Sequence, residues 1–249
     1  MDIDVYGDET CGLAAVGYAL LVIPRSRRAT LEKLFVEVKV ANGARADSEI
    51  HCSELFNEKA RATSPWAHLD YQSIFELLSQ VVDQLVAVQS QHVVCLADRA
   101  SAANVDAESW RTADGRIADP QPPNFLPAFE NDKILAVSCA GGALMEVATS
   151  LSADRLFFWP DPDGDTKVPW NLKPRWVDDI LRQMWFGLPG GAAQIAIEPI
   201  GALKPPLLQI ADILAFAAQR SQLNNGSETT ERFADLFCRF NPVILRFAP

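Results

Sequence analysis

Ile3-Asp4-Val5-Tyr6-Gly7 and Leu13-Ala14-Ala15-Val16-Gly17-Tyr18-Ala19-Leu20-Leu21-Val22-Ile23, joined by Asp8-Glu9-Thr10-Cys11-Gly12, decide how this chain folds. Both flanks read as strands, and so short a connection containing a glycine predicts an antiparallel hairpin. Pro24 ends the second strand. Thr30 to Val40 is either a helix or a helix running into a strand, and Ser48 to Cys52 reads as extended. From His68 to Gln89 the period turns helical, with Ile74, Leu77, Leu78, Val81, Val82 and Leu85 on one face. Val93 to Ala97 and Arg155 to Trp159 read as buried strands, and Ala193 to Ile200 as another. Helices are expected over Leu126–Thr149, from Pro174 to about Phe186, after Pro205-Pro206, and over Glu228–Phe240. A hairpin followed by alternating helices and strands predicts one α/β domain over residues 1–249, with a mixed sheet and flanking helices. The polar segment from Asp98 to Asn124, without a clear period, is expected to be a surface insertion at about 98–125.

Composition narrows the function classes. The chain has 249 residues, 49% of them apolar, which is enough for a substantial core and argues against disorder. A formal net charge of -10 argues against a broad electrostatic nucleic-acid binder, because phosphate contacts need Lys and Arg. It leaves room for an enzyme whose metal ions meet the phosphates. Arg25, Arg27 and Arg28 form the one compact basic cluster, read here as a solvated face at a helix start. Cys11, Cys52, Cys95, Cys139 and Cys238 are scattered without C-x-x-C spacing, which predicts free thiols in a reducing cytoplasm. The start of the sequence, Met1-Asp2-Ile3-Asp4, lacks signal-peptide character. Leu13 to Ile23 is too short for a bilayer, which needs roughly 20 apolar residues. A cytoplasmic protein with no membrane partner is expected.

The candidate chemistry lies in acids that interrupt apolar segments. Asp8 and Glu9 sit where the first strand gives way to the turn, a common place for acidic residues. Glu49 and His51, two apart in an extended segment, face the same side of it. Asp161, Asp163 and Asp165 follow Phe157-Phe158-Trp159. Counted from Asp161, Gly falls at the fourth position and Leu172 at the twelfth, so this is no EF-hand loop. Of the three, Asp161 is preferred, because the end of a core strand is a common place for a site. Asp98 also closes a strand and competes for the same role. In Leu207-Leu208-Gln209-Ile210-Ala211-Asp212-Ile213-Leu214-Ala215-Phe216 a carboxylate stands inside an apolar helix. Gln209, Asp212, Gln219 and Arg220 share one side of that helix, which reads equally as a polar stripe facing water or, because Phe216 interrupts it, as a cleft wall.

Four motifs in order, Tyr6-Gly7-Asp8-Glu9-Thr10, Ser48-Glu49-Ile50-His51, Phe158-Trp159-Pro160-Asp161 and Leu208-Gln209-Ile210-Ala211-Asp212, resemble those of the domain-of-unknown-function family 3800. Its mostly bacterial members are similar to the ribonuclease H superfamily. They open with a strand ending Asp-Glu-Ser-Gly, continue with Glu-x-Lys or Glu-x-His, then a strand ending in Asp and a late helix beginning Leu-Gln-x-Ala-Asp. Here Thr10 and Cys11 stand where Ser and Gly are usual. The resemblance spans Asp8 to about Arg220.

The resemblance implies a ribonuclease H-like fold and a nuclease or phosphodiesterase that depends on Mg2+ or Mn2+. It makes Asp8, Glu49, Asp161 and Asp212 the metal ligands and Glu9 an outer ligand. His51 or Lys167 would move protons or hold a phosphate of a nucleic-acid substrate. The competing expectation is a non-catalytic interaction module on the same fold, which the acidic net charge supports. A cysteine hydrolase using Cys52 and His51 is disfavoured, since neighbours in an extended chain point to opposite faces.

Overall fold

The hairpin forms, and it is longer than the sequence pattern suggested. β1 (Asp2–Cys11) pairs antiparallel with β2 (Ala15–Pro24), Asp8 lying opposite Ala19 and Cys11 opposite Val16. Asp8, Glu9, Thr10 and Cys11 therefore belong to the strand rather than to the connection. The apolar run of β2 offers four more ladder partners, and this pairing overrides the turn preference of the acids. The connection is closed by the Gly12 amide donating to the Ala15 carbonyl at 2.9 Å.

This computed structural model describes residues 1–12, 14–99, 128–161, 194–197, 204–223 and 226–247. After one 3-10 turn at Arg25–Arg27 come α1 (Arg28–Ala41), α2 (Cys52–Leu55), α3 (Glu58–Arg61) and α4 (Tyr71–Ala87). Then follow β3 (Gln91–Asp98), α5 (Ala128–Ser150), β4 (Arg155–Pro160), β5 (Gln194–Ile197), α6 (Leu208–Ser221), α7 (Glu228–Phe240) and β6 (Val243–Phe247). Thr30 to Val40 is thus wholly helical, and Cys52 opens a short helix instead of ending a strand. β6 and the two one-turn helices were not anticipated. The expected helix at Pro174–Phe186 and nearly all of the 98–125 insertion lie outside the described residues.

The described strands form one mixed sheet in the order β5-β4-β1-β2-β3-β6. β1, β2 and β3 make an antiparallel meander, β4 joins β1 in parallel, β5 joins β4 in parallel, and β6 joins β3 in parallel. β1 is therefore flanked on both edges, and its alternate residues enter two separate cores. Tyr6, paired with Leu21, packs on the side covered by α1, α4, α6 and α7. Ile3 and Val5 pack on the other side with Val137, Leu144 and Val147 of α5. Gly7 also faces that second side, and a Cβ there would lie 2.4 Å from the Tyr18 ring and 2.9 Å from Phe158. The residue before Asp8 is a glycine because two aromatic rings close over it.

The same alternation carries Asp4, Tyr6 and Asp8 to the multi-helix side and sends Glu9, opposite Tyr18, to the α5 side. Asp4 is completely buried; it accepts from Trp159 Nε1 at 3.3 Å and lies 3.6 Å from Arg25. Arg25 stacks on Phe157 at 3.6 Å and Arg28 on Trp159 at 4.7 Å. Two of the three arginines of the basic cluster thus close the lower end of β1 and β4 instead of forming a purely solvated face. Among the described residues no helix is long and apolar enough to cross a membrane.

A candidate acidic site around Lys204

Asp8, Asp161 and Asp212 come from three elements that the sheet brings side by side. β4 runs parallel to β1, and the Asp161 amide donates to the Gly7 carbonyl at 2.8 Å, placing Asp161 beside the strand position of Asp8. Asp98 ends β3, and β2 separates it from β1, so Asp161 is the acid delivered to Asp8. α6 packs across β1 and β2 and brings Asp212 over the same end.

α6 is buried along most of its length, so its polar stripe does not face water at Gln209 or Asp212. Gln219 donates to the Cys11 carbonyl and ties the far end of α6 to the end of β1. Phe216 stacks on Phe56 at 5.6 Å and meets Phe233 edge-on at 5.4 Å, so an aromatic cluster fixes the helix against α7 and the α2–α3 connection. Of the two readings left open for this helix, a stripe facing water does not hold at Gln209, which is buried, or at Asp212, whose side chain is 13% exposed.

The segment carrying Glu49 and His51 is held almost entirely by side chains. Among the described residues it has no strand partner, so its buried backbone groups need other hydrogen bonds. Gln209 Oε1 accepts from the Ile50 amide at 2.8 Å, and Asp212 Oδ2 accepts from the Cys52 amide at 2.9 Å. From the other side, Lys39 Nζ donates to the Ser48 carbonyl at 2.9 Å and Trp66 Nε1 to the Glu49 carbonyl at 2.7 Å. The Gln209-x-x-Asp212 spacing is therefore a two-point clamp, one helical turn long, on residues 50–52. His51 Nδ1 lies 3.3 Å from the same Asp212 oxygen, and Asp212 holds the imidazole's pKa above its usual value despite burial.

At the centre of the acids stands Lys204, the last residue before Pro205-Pro206 and α6. Its Nζ lies 3.2 Å from Asp161 Oδ2 and 3.4 Å from Glu49 Oε1, and the side chain is only 16% exposed. Burial opposes its charge, but Asp161, Asp8, Glu49 and Asp212 together raise its pKa. Asp8 shows the complementary effect. Burial, then Asp161 and Asp212, push its carboxyl well above the usual range, against the pull of Lys204 and of the Glu9 amide, which donates to Asp8 at 2.7 Å. Such a raised carboxyl marks like charges crowded where water is scarce.

Three of the expected ligands, Asp8, Asp161 and Asp212, therefore meet. Glu49, with its side chain about half exposed, joins from the rim through Lys204. Glu9 is on the opposite face of the sheet from Asp8. Lys167, like Asp163 and Asp165, lies outside the described residues. The Cys52 thiol is buried, and burial with the nearby Asp212 and Asp8 carboxylates drives its pKa well up, which suits a packed thiol and not a nucleophile.

Lys204 was missed in the sequence. The signal available was chemical: four carboxylates drawn together need a cation, and this lysine sits one turn upstream of Leu208-Gln209. The donor set consists of hard carboxylate oxygens, which suit magnesium or manganese. Among the described residues, however, no group of three or more His, Cys, Asp or Glu is placed to hold a metal ion. Compared with known proteins, the chain matches no protein-family model, and no curated protein or solved structure is similar to it.

Proposed function

We propose that the protein is a divalent-metal-dependent nuclease or phosphodiesterase of ribonuclease H-like fold, belonging to the family 3800 that its motifs resemble. The observation that carries this reading is the convergence of Asp8, Asp161 and Asp212, from β1, β4 and α6, at one end of the sheet. It is the arrangement the resemblance implies: acids from the first strand, a central strand and a late helix. Burial first, and then the like charges of Asp161 and Asp212, raise the Asp8 carboxyl, and a bound cation would oppose both effects.

In this reading Asp8, Asp161 and Asp212 hold Mg2+ or Mn2+, which supplies activation of water and charge neutralisation at a phosphodiester. The chain's own residues do the rest. Gln209 and Asp212 fix the backbone of residues 50–52, so that His51 stands at the margin of the acids within reach of a proton on a substrate oxygen. Lys204 neutralises the cluster and offers an ammonium to a phosphate. Nucleic acid is the substrate class the family resemblance suggests.

Asp212→Asn tests the reading cleanly, because the amide oxygen can still accept from the Cys52 amide. The variant is expected to fold, to lose manganese-dependent cleavage of single- or double-stranded DNA or RNA, and to lose most of its stabilisation by manganese. Undiminished cleavage in that variant removes Asp212 from the chemistry.

A second reading, a non-catalytic interaction module, is favoured by one observation: Lys204 already neutralises part of the cluster with side-chain contacts. On that reading Lys204 is a structural ion-pair centre, and millimolar manganese leaves the melting temperature unchanged.

A further inference from the structure

We propose that Ser53, His51 and Asp212 form a serine-nucleophile site that acts on neutral carboxylic esters and needs no metal ion, an activity beyond the metal-dependent reading above. Its ground is a run of contacts through one imidazole. His51 Nδ1 lies 3.3 Å from Asp212 Oδ2, and His51 Nε2 lies 3.3 Å from Ser53 Oγ. The acid is itself held in place, since Asp212 Oδ2 accepts from the Cys52 amide at 2.9 Å. A carboxylate can only accept, so the proton between His51 and Asp212 sits on Nδ1. The neutral ring then turns its Nε2 lone pair to the serine hydroxyl, the tautomer that a general base for serine requires. Nucleophile to base and base to orienting acid are the two contacts that mark an activated serine. Both stand at the long end for hydrogen bonds, as catalytic contacts do before substrate tightens them.

The order of exposure suits this use. Ser53 is exposed, His51 is partly exposed, and Asp212 lies mostly buried behind the ring, while Cys52 between His51 and Ser53 is buried. Ser53 Oγ attacks the ester carbonyl carbon as its proton passes to His51 Nε2, which gives a tetrahedral oxyanion. The bond to the alkoxy oxygen then breaks, and His51 returns the proton to the departing alcohol. Water, giving its proton to the same nitrogen, attacks the acyl-serine; the bond to Oγ breaks, Oγ takes the proton back, and the carboxylic acid leaves. Asp212 touches no substrate in these steps and is a positioning residue, steadying the ring and its transient charge. Among the described residues the Ser53 amide has no acceptor, which leaves it to the oxyanion. One such donor stabilises an oxyanion less than a pair does, so turnover is expected to be slow. Glu54 and Asp212 both act electrostatically on His51, and this negative charge disfavours an anionic acyl group. Hence the neutral ester.

The test is labelling of the full-length chain with a neutral fluorophosphonate in the presence of EDTA, read by peptide mass spectrometry. Wild type is expected to carry the label on Ser53 and to release p-nitrophenol from p-nitrophenyl acetate until labelled. Ser53→Ala should neither take the label at that peptide nor release p-nitrophenol above buffer. His51→Gln should be labelled more slowly by roughly a hundredfold or more, the range for loss of a general base. The orienting role of Asp212 is read from nitrogen NMR spectra of His51 in its neutral form, where the Nδ1–H tautomer is expected. An unlabelled Ser53, p-nitrophenol release that the label or Ser53→Ala leaves unchanged, a smaller slowing in His51→Gln, or an Nε2–H tautomer overturns the proposal. Circular dichroism establishes that both variants are folded; if His51→Gln is not, the label, Ser53→Ala and the tautomer decide. Metal is absent throughout, so failure here leaves the metal-dependent reading to its own assay, in which Ser53 takes no part.

Discussion

Gln209 shows how one residue can matter for a site without touching its chemistry. Its side chain is 6% exposed and supplies the acceptor for the buried Ile50 amide. Gln209→Ala leaves that amide unpaired and is expected to cost about 1–3 kcal/mol, with faster hydrogen exchange at Ile50. An unchanged exchange rate at Ile50 would remove the clamp from the account. His92 gives a second residue-scale expectation. Nδ1–H donates to the Phe240 carbonyl at 2.6 Å, Nε2 faces Ser90 Oγ at 3.1 Å, and burial lowers the imidazole's pKa to about 4. The unfolded chain takes up the proton first, from its ordinary pKa of 6.5 downward. The contribution of neutral His92 is therefore whole above about pH 6.5 and drains away as pH falls toward about 4, amounting to about 3 kcal/mol at most. The difference in stability between wild type and His92→Gln, measured by denaturant titration across that window, should shrink as the pH is lowered. A difference independent of pH contradicts the burial of a neutral imidazole.

At the scale of elements, α6 is the strap of the molecule, joining β1, the 50–52 segment and α7. Phe216 is the apolar end of that strap, stacked on Phe56 and abutting Phe233. Phe216→Ala should destabilise by about 3 kcal/mol, at the lower end for a large aromatic because the ring is partly exposed. It should also loosen the α2–α3 connection, read as faster proteolysis there. Periodicity made most of these elements legible beforehand. α7 ends where expected, with Ser227 accepting from the Thr230 amide at its start and Asn241 left-handed at φ 47° after its end. β1 was underestimated because Asp8 and Glu9 look like turn residues, and only the length of the opposite strand shows that they are paired. The role of α6 could not be read from its spacing, since a polar stripe has the same period whether it meets water or a backbone segment 159 residues away. Lys204 was hidden for a related reason: a single lysine before two prolines has no pattern, and its meaning appears only when four acids surround it.

Across the whole molecule, the hairpin and the parallel strand β4 place two acids at one end of a central strand, and α6 adds the third. The buried Asp4, with Arg25, Arg28 and Trp159, closes the opposite end of the same strand face. One end is thus neutralised by arginines stacked on rings. Among the described residues, the other keeps an excess of negative charge around Lys204. The central claim is that this excess is held for a divalent cation, and Asp8→Asn tests it most directly because it removes the charge most strongly opposed by its surroundings. The measurement is the melting temperature of wild type and Asp8→Asn, each with and without manganese. The account predicts that Asp8→Asn melts at least as high as wild type without metal and gains nothing from manganese. Wild type should gain, by about 2.7 kcal/mol at a hundredfold excess over its dissociation constant. An Asp8→Asn protein that melts well below wild type without metal, yet gains as much from manganese, contradicts it.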